Sequence, residues 1–123
     1  ELIYSNKTNK ILLINFWATW CSPCIKEIPE LLKLEKEFEN EIKVVFISVD
    51  QNPSKVVPKF LKKNNLTDLV VFNDQNLSTA ESLGVKIMPT TIIVNKNFEE
   101  IARITGYINW LDKDSKKFIK DIL

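Results

Sequence analysis

Histidine is absent from the 123 residues of this chain, and cysteine and glycine occur only twice each. A tetrahedral zinc or iron site needs four ligands, usually Cys or His, so a single copy of this chain cannot build one. Covalent haem attachment wants a histidine directly after a Cys-x-x-Cys pair, where this chain has Ile25. Copper delivery usually recruits a histidine as well. Arginine occurs once, as Arg103, among abundant lysine, isoleucine and asparagine; this is a bias of composition and not of chemistry. No segment approaches the ~20 apolar residues that span a bilayer, and no basic-then-apolar leader is present. Charge of one sign is lacking too. Lys+Arg number 17 against Asp+Glu 16, interleaved along the chain, which argues against nucleic acid and anionic membrane surfaces as partners.

What is present is one globular domain's worth of chain, residues 1–123, with 45% hydrophobic content, enough for a single core without staples. The two cysteines stand in Cys21-Ser22-Pro23-Cys24, where an apolar strand gives way to a helix. The strand, from Ile11 to Trp17, is apolar on both faces, as a central strand covered on each side should be. Ile28, Leu31, Leu34 and Phe38 then recur at helical spacing among lysines and glutamates. A thiol at the start of that helix meets free N–H groups and the positive dipole end, so it ionises more easily than a free thiol. A bridge over two intervening residues closes too small a loop to stabilise much, which leaves redox chemistry as the use of the pair.

Along the rest of the chain, Leu2, Ile3 and Tyr4 suggest a short edge strand and Ser5 to Asn9 a polar turn. Ile42 to Val49 is a second buried strand. Asn52-Pro53 opens a helix with a capping side chain, Val56, Val57, Phe60 and Leu61 form its apolar side, and Pro58 should bend it. Leu69 to Phe72 reads as a strand, and Leu77 to Leu83 as a short helix stopped by Gly84. Thr90 to Val94 and Phe98 to Ile104 read as a hairpin around Asn95-Lys96-Asn97, and Leu111, Phe118, Ile119 and Ile122 stripe a closing helix. Gly106 is expected where backbone approaches closely. The order β-α-β-α-β-α-β-β-α implies an α/β fold, a mixed sheet with helices on both faces.

Phe16-Trp17-Ala18-Thr19-Trp20-Cys21-Ser22-Pro23-Cys24 resembles the active-site segment of thioredoxin-like proteins, and more closely that of the TlpA/ResA-like extracytoplasmic thiol:disulfide oxidoreductases. Pro29 sits where such proteins kink their first long helix, Met88-Pro89-Thr90-Thr91 is similar to their cis-proline loop, and Gly106 lies near the end of the last strand. The resemblance runs from about Lys10 to the C-terminus. It implies a thioredoxin fold with an extra strand and helix in its middle, no bound cofactor or metal, and exchange of the dithiol with cysteine pairs of protein substrates. It also implies a membrane-embedded electron donor, an extracytoplasmic setting and reduction of apocytochrome c or copper-protein cysteines. A chain that starts at Glu1 is expected to have been trimmed of a leader or anchor and to act as a monomer.

Site roles follow from the position in the motif. Cys21, at the exposed helix start, is expected to attack, and Cys24, one turn in and covered, to resolve. Ser22 and Pro23 fix the turn between them and tune its potential. Glu27 lies three residues past Cys24 on the same helix face, where ResA-like proteins carry a glutamate read as a proton carrier. Thioredoxins instead use an aspartate on the preceding strand, where this chain has the non-titrating Asn15. Trp20 should shield the dithiol and contact the partner, with Met88 and Pro89 lining the substrate groove; Ile87 stands where many relatives have glycine. Trp17 is expected in the core and Trp110 in packing alone. The alternatives are a general cytoplasmic thioredoxin, a net oxidant, or a thioredoxin-fold module that binds partners or handles copper without turnover.

Overall fold

The structure is a computed structural model that describes residues 9–123, the side chain of Gln75 apart. The expected edge strand at Leu2, Ile3 and Tyr4 lies outside the described residues, as does most of the Ser5 to Asn9 turn. Five strands and four α-helices follow one another: β1 (Ile11–Trp17), α1 (Ser22–Glu37), β2 (Ile42–Ser48), α2 (Pro53–Lys63), β3 (Val71–Asn73), α3 (Ser78–Ser82), β4 (Thr90–Val94), β5 (Glu100–Thr105) and α4 (Lys113–Ile122). A 3-10 turn, Gln75–Leu77, precedes α3.

The strands lie in the order β3-β2-β1-β4-β5. β1 pairs in parallel with β2 and β2 with β3, whereas β4 runs antiparallel to β1 and β5 antiparallel to β4. Continuous apolar runs make the inner strands. All seven positions of β1 and all five of β4 are buried, and β2 exposes only Lys43. A strand buried at consecutive residues is covered on both faces, because successive side chains point to opposite sides. At the rim, β5 and β3 carry no fully buried residue. The fold is thus the expected thioredoxin fold, a mixed five-stranded sheet with an extra strand and helix in the middle of the chain.

α1 buries Cys24, Glu27, Ile28, Leu31 and Leu34, a stripe at helical spacing whose one charged member is Glu27. The C-terminal helix is tied to it by Lys116 Nζ to Glu37 Oε1 at 2.9 Å and capped by Asp112, whose carboxylate accepts from Ser115 N at 2.8 Å. Trp17 is fully buried, as expected, with its ring 5.2 Å from that of Phe60 on α2.

Several boundaries differ from the sequence reading for local reasons. Asn52 sits at the N-cap of α2 without a side-chain capping bond; its carbonyl alone accepts, from Lys55 N and Val56 N at 3.0 Å each. β3 begins at Val71, leaving Val70 70% exposed. The helix expected from Leu77 is interrupted, since Asn76 and Leu77 take positive φ of 66° and 58°. Asp74 then serves as the cap of α3, accepting from Thr79 N and Ala80 N at 2.8 Å each. Gly84, at φ +67°, stops α3 as expected. β5 starts at Glu100 because the Asn95 side chain holds a longer turn, accepting from Asn97 N at 2.9 Å and Glu99 N at 3.0 Å.

Gly106 does not mark a close approach. Nothing stands within 4 Å of where its Cβ would be. Its glycine is required by conformation, φ +91°, which turns its N–H onto the Pro89 carbonyl at 2.7 Å. Gly106→Ala is therefore expected to destabilise the fold by about 1–2 kcal/mol through backbone strain alone, with Gly106→Asn milder; urea unfolding of the two variants checks the order.

Candidate active site

Cys21 and Cys24 are joined as a disulfide with Cα atoms 5.3 Å apart. Cys21 is the N-cap of α1, and its Sγ accepts from Cys24 N at 3.3 Å. The sulfur thus occupies the position of a capping oxygen, facing the free N–H groups of the first turn. This capping also corrects one expectation. Cys21 is not on the exposed surface but only 5% exposed, against 0% for Cys24, because its side chain turns inward over the helix end. Ser22 and Pro23 are the exposed residues of the motif.

Beneath the disulfide on the same helix face, Glu27 is fully buried. Its Oε1 accepts from Asn15 Nδ2 at 3.1 Å, and its Oε2 from the backbone N–H of Ile108 at 3.2 Å. Asn15, also fully buried, donates in addition to Thr91 Oγ1 at 3.0 Å. One polar group therefore links β1, α1, β4 and the segment after β5. The indole N–H of Trp110 closes no hydrogen bond in good geometry among the described residues, yet it lies near enough to the carboxylate to favour its charge. Trp110 thus belongs to the surroundings of Glu27 and not to packing alone. Burial pushes the Glu27 pKa above its ordinary value; the Ile108, Trp110 and Asn15 donors oppose this, and the neighbouring charge of Glu30 adds to it.

The Met88-Pro89 bond is cis, as the motif implies, and the pairing of Thr90 with Phe16 sets this loop beside the end of β1. The loop is held by Thr90 Oγ1 donating to the Ile87 carbonyl and by the Gly106 N–H bond to Pro89. Pro89 is buried and Met88 half-buried, whereas Trp20 is 70% and Ile87 57% exposed. Trp20 and Met88 line a shallow cavity of about 340 Å³ with Leu77 and Val85. The structure buries Cys21, Cys24, Glu27 and Asn15 and leaves Trp20, next to Cys21 in the chain, at the surface. The sequence reading missed Asp50. This buried carboxylate accepts from Thr19 N at 3.1 Å, Thr19 Oγ1 at 2.7 Å and Ser48 Oγ at 2.6 Å, fixing the segment that leads into Cys21. An acid just past a buried strand, two residues after a serine, was the available signal.

A central strand that delivers a Cys-x-x-Cys pair to a helix N-terminus, with a cis-proline loop on the neighbouring antiparallel strand, is the architecture of the thioredoxin superfamily. This chain is a TlpA/ResA-like protein of that class. It belongs to the Redoxin family, whose profile matches residues 4–118. It is 30% identical over 98 residues to the thiol-disulfide oxidoreductase ResA of Halalkalibacterium halodurans, covering 79% of this chain and 54% of ResA. Against the ResA of Oceanobacillus iheyensis it is 34% identical over 115 residues, covering 85% and 59%. The chain thus spans little more than half the length of these curated relatives. In three dimensions it resembles the crystal structure of a candidate thiol:disulfide interchange protein DsbE from Chlorobium tepidum, with TM-score 0.80, 25% identity, and coverage of 97% of this chain and 82% of that one.

The raised Glu27 pKa makes stability depend on pH. Between the ordinary glutamate value of 4.5 and the higher folded value, the folded state binds more protons than the unfolded one, so stability falls as pH rises through that window. Each unit by which the pKa is raised removes about 1.4 kcal/mol once pH exceeds the folded value. Glu27→Gln eliminates this contribution, so the unfolding free energy of the variant minus that of the wild type is expected to climb with pH across the window. Urea titrations from pH 4 to pH 8 measure it, and a flat difference would show that Glu27 titrates as an ordinary glutamate.

Proposed function

We propose that this chain is a thiol-disulfide oxidoreductase that exchanges Cys21 and Cys24 with cysteine pairs of partner proteins, working as a reductant. The observation that carries the reading is a cysteine pair already closed as a disulfide at a helix N-terminus, where thiolate is favoured. Residues 1–123 act in this reading as one domain.

In the reduced protein the Cys21 thiolate attacks one sulfur of the substrate disulfide. That S–S bond breaks, a mixed disulfide forms at Cys21, and the other substrate sulfur leaves as a thiolate. Glu27 accepts the Cys24 proton, and the Cys24 thiolate attacks Cys21 Sγ, expelling the second substrate sulfur. The proton held by Glu27 neutralises a departing thiolate. The substrate gains two electrons and the chain is left with its own disulfide, which a membrane-embedded dithiol donor resets. Trp20, Met88 and Pro89 receive the substrate polypeptide, and Ser22, Pro23 and Asn15 tune the potential.

Likeness to ResA supports an extracytoplasmic site of action and substrates of the apocytochrome c or copper-protein maturation type. No helix among the described residues is long and apolar enough to cross a membrane, so in this reading any tether lies outside them. A partner-binding or copper-handling module without turnover is the reading from another class, and a turnover assay with a disulfide substrate separates the two.

Cys21→Ser is expected to abolish exchange, while Cys24→Ser retains attack and accumulates a covalent mixed disulfide through Cys21, visible by mass spectrometry under non-reducing conditions. An adduct through Cys24 in the Cys21→Ser protein reverses the assignment. Equilibration of the wild type with glutathione buffers should give a potential well below that couple; a value at or above it makes the protein an oxidant.

A further inference from the structure

The Glu27 carboxylate is covered on one side by the segment that follows β5. Directly after β5 the chain runs Gly106, Tyr107, Ile108 and crosses α1. The Tyr107 hydroxyl lies 2.9 Å from Glu30 Oε2 and 3.1 Å from its Oε1. Lys26 Nζ stands 4.8 Å from the centre of the Tyr107 ring, within cation–π range. Lys26 and Glu30, four residues apart, share one side of α1 beside Glu27, so Tyr107 fastens the segment to the helix at two points next to the buried acid. The next residue, Ile108, places its N–H on Glu27 Oε2 at 3.2 Å.

We propose that Tyr107 is a positioning residue that straps the segment after β5 over Glu27, excluding water from the carboxylate and holding the Ile108 N–H on it. The strap deepens the oxidoreductase reading, resting on Glu27 as the proton carrier of that reaction. The charged and titratable groups facing Glu27 are few. Glu30 acts on it from its own helix, while Asn15 of β1, Thr91 of β4 behind it and Ile108 present neutral groups. Partial burial first, then the bond to Glu30 and the charges of Glu30, Glu27 and Asp112, holds the Tyr107 phenol above its ordinary value. The phenol therefore keeps its proton at neutral pH and remains a donor to Glu30. Water admitted beside Glu27 would remove the burial that disfavours its charge.

The test uses the oxidised protein, so it needs no turnover and its outcome is independent of the oxidoreductase reading. The Glu27 side-chain carboxyl is titrated by 13C NMR, and hydrogen exchange of the Ile108 amide is followed, in wild type, Tyr107→Phe and Tyr107→Ala. Tyr107→Phe keeps the ring under Lys26 and loses the Glu30 bond; Tyr107→Ala loses both. The expected result is a Glu27 midpoint that moves down toward the ordinary glutamate value, more in Ala than in Phe, with Ile108 exchange faster by tenfold or more in Ala. Should Tyr107→Ala fail to fold, Tyr107→Phe still decides, through a lowered midpoint and an Ile108 exchange rate raised at least twofold. A Glu27 midpoint and Ile108 exchange rate unchanged in the folded variants would overturn the proposal.

Discussion

The complete burial of β1 is the constraint from which the site follows. Hydrogen-bonded on both edges, to β2 and β4, and covered on both faces, this strand offers no route to water for any polar side chain on it. Asn15, in the middle of the strand, must therefore find partners inside the protein, and an amide left bare at this depth would cost roughly 1–3 kcal/mol. Its two amino hydrogens go to Glu27 and Thr91, which makes one side chain the joint between helix and sheet. The end of the same strand carries the chain to Cys21, so the strand that anchors the polar core also sets the position of the disulfide.

Burying a carboxylate is expensive unless it is satisfied, and Glu27 is satisfied only in part. Two donors reach it in good geometry, yet its protonated form is still favoured over that of an ordinary glutamate. This balance suits the proton-carrying role proposed above for Glu27. A carboxylate that was fully paired would hold its charge too firmly. Asn15 contributes here by what it is not, since an aspartate in its place would set two carboxylates within hydrogen-bond reach and drive one of them to remain protonated.

Above the carboxylate the surface is apolar and uneven. Trp20, directly before the buried cysteines in the chain, is exposed and shares a shallow cavity with Leu77, which is held outward at positive φ. Asp50 holds Thr19 through backbone and hydroxyl together, next to the exposed Trp20.

Much of this was legible in the residues alone. The apolar runs of β1, β2 and β4, the stripe of α1 and the Cys-x-x-Cys spacing are local patterns, and local patterns specify element type because side-chain period and backbone geometry are coupled, while the Met88-Pro89 loop was legible only through its family resemblance. Glu27 could be singled out because it falls on the face of Cys24, one turn away. What the tertiary structure decided is everything that depends on residues far apart in sequence. The depth of Glu27, its bonds to Asn15 and Ile108, the recruitment of Trp110 and Tyr107, the clamp of Asp50 on Thr19 and the inward turn of Cys21 all arise where strands and helices meet. Gly106 illustrates the difference: its presence near the last strand was visible, but only the folded backbone showed that it answers to a torsion angle and not to a crowded neighbour. Periodicity reports which way a side chain faces, whereas burial and hydrogen-bond partnership are set by what packs against that face, and that information lies in the fold.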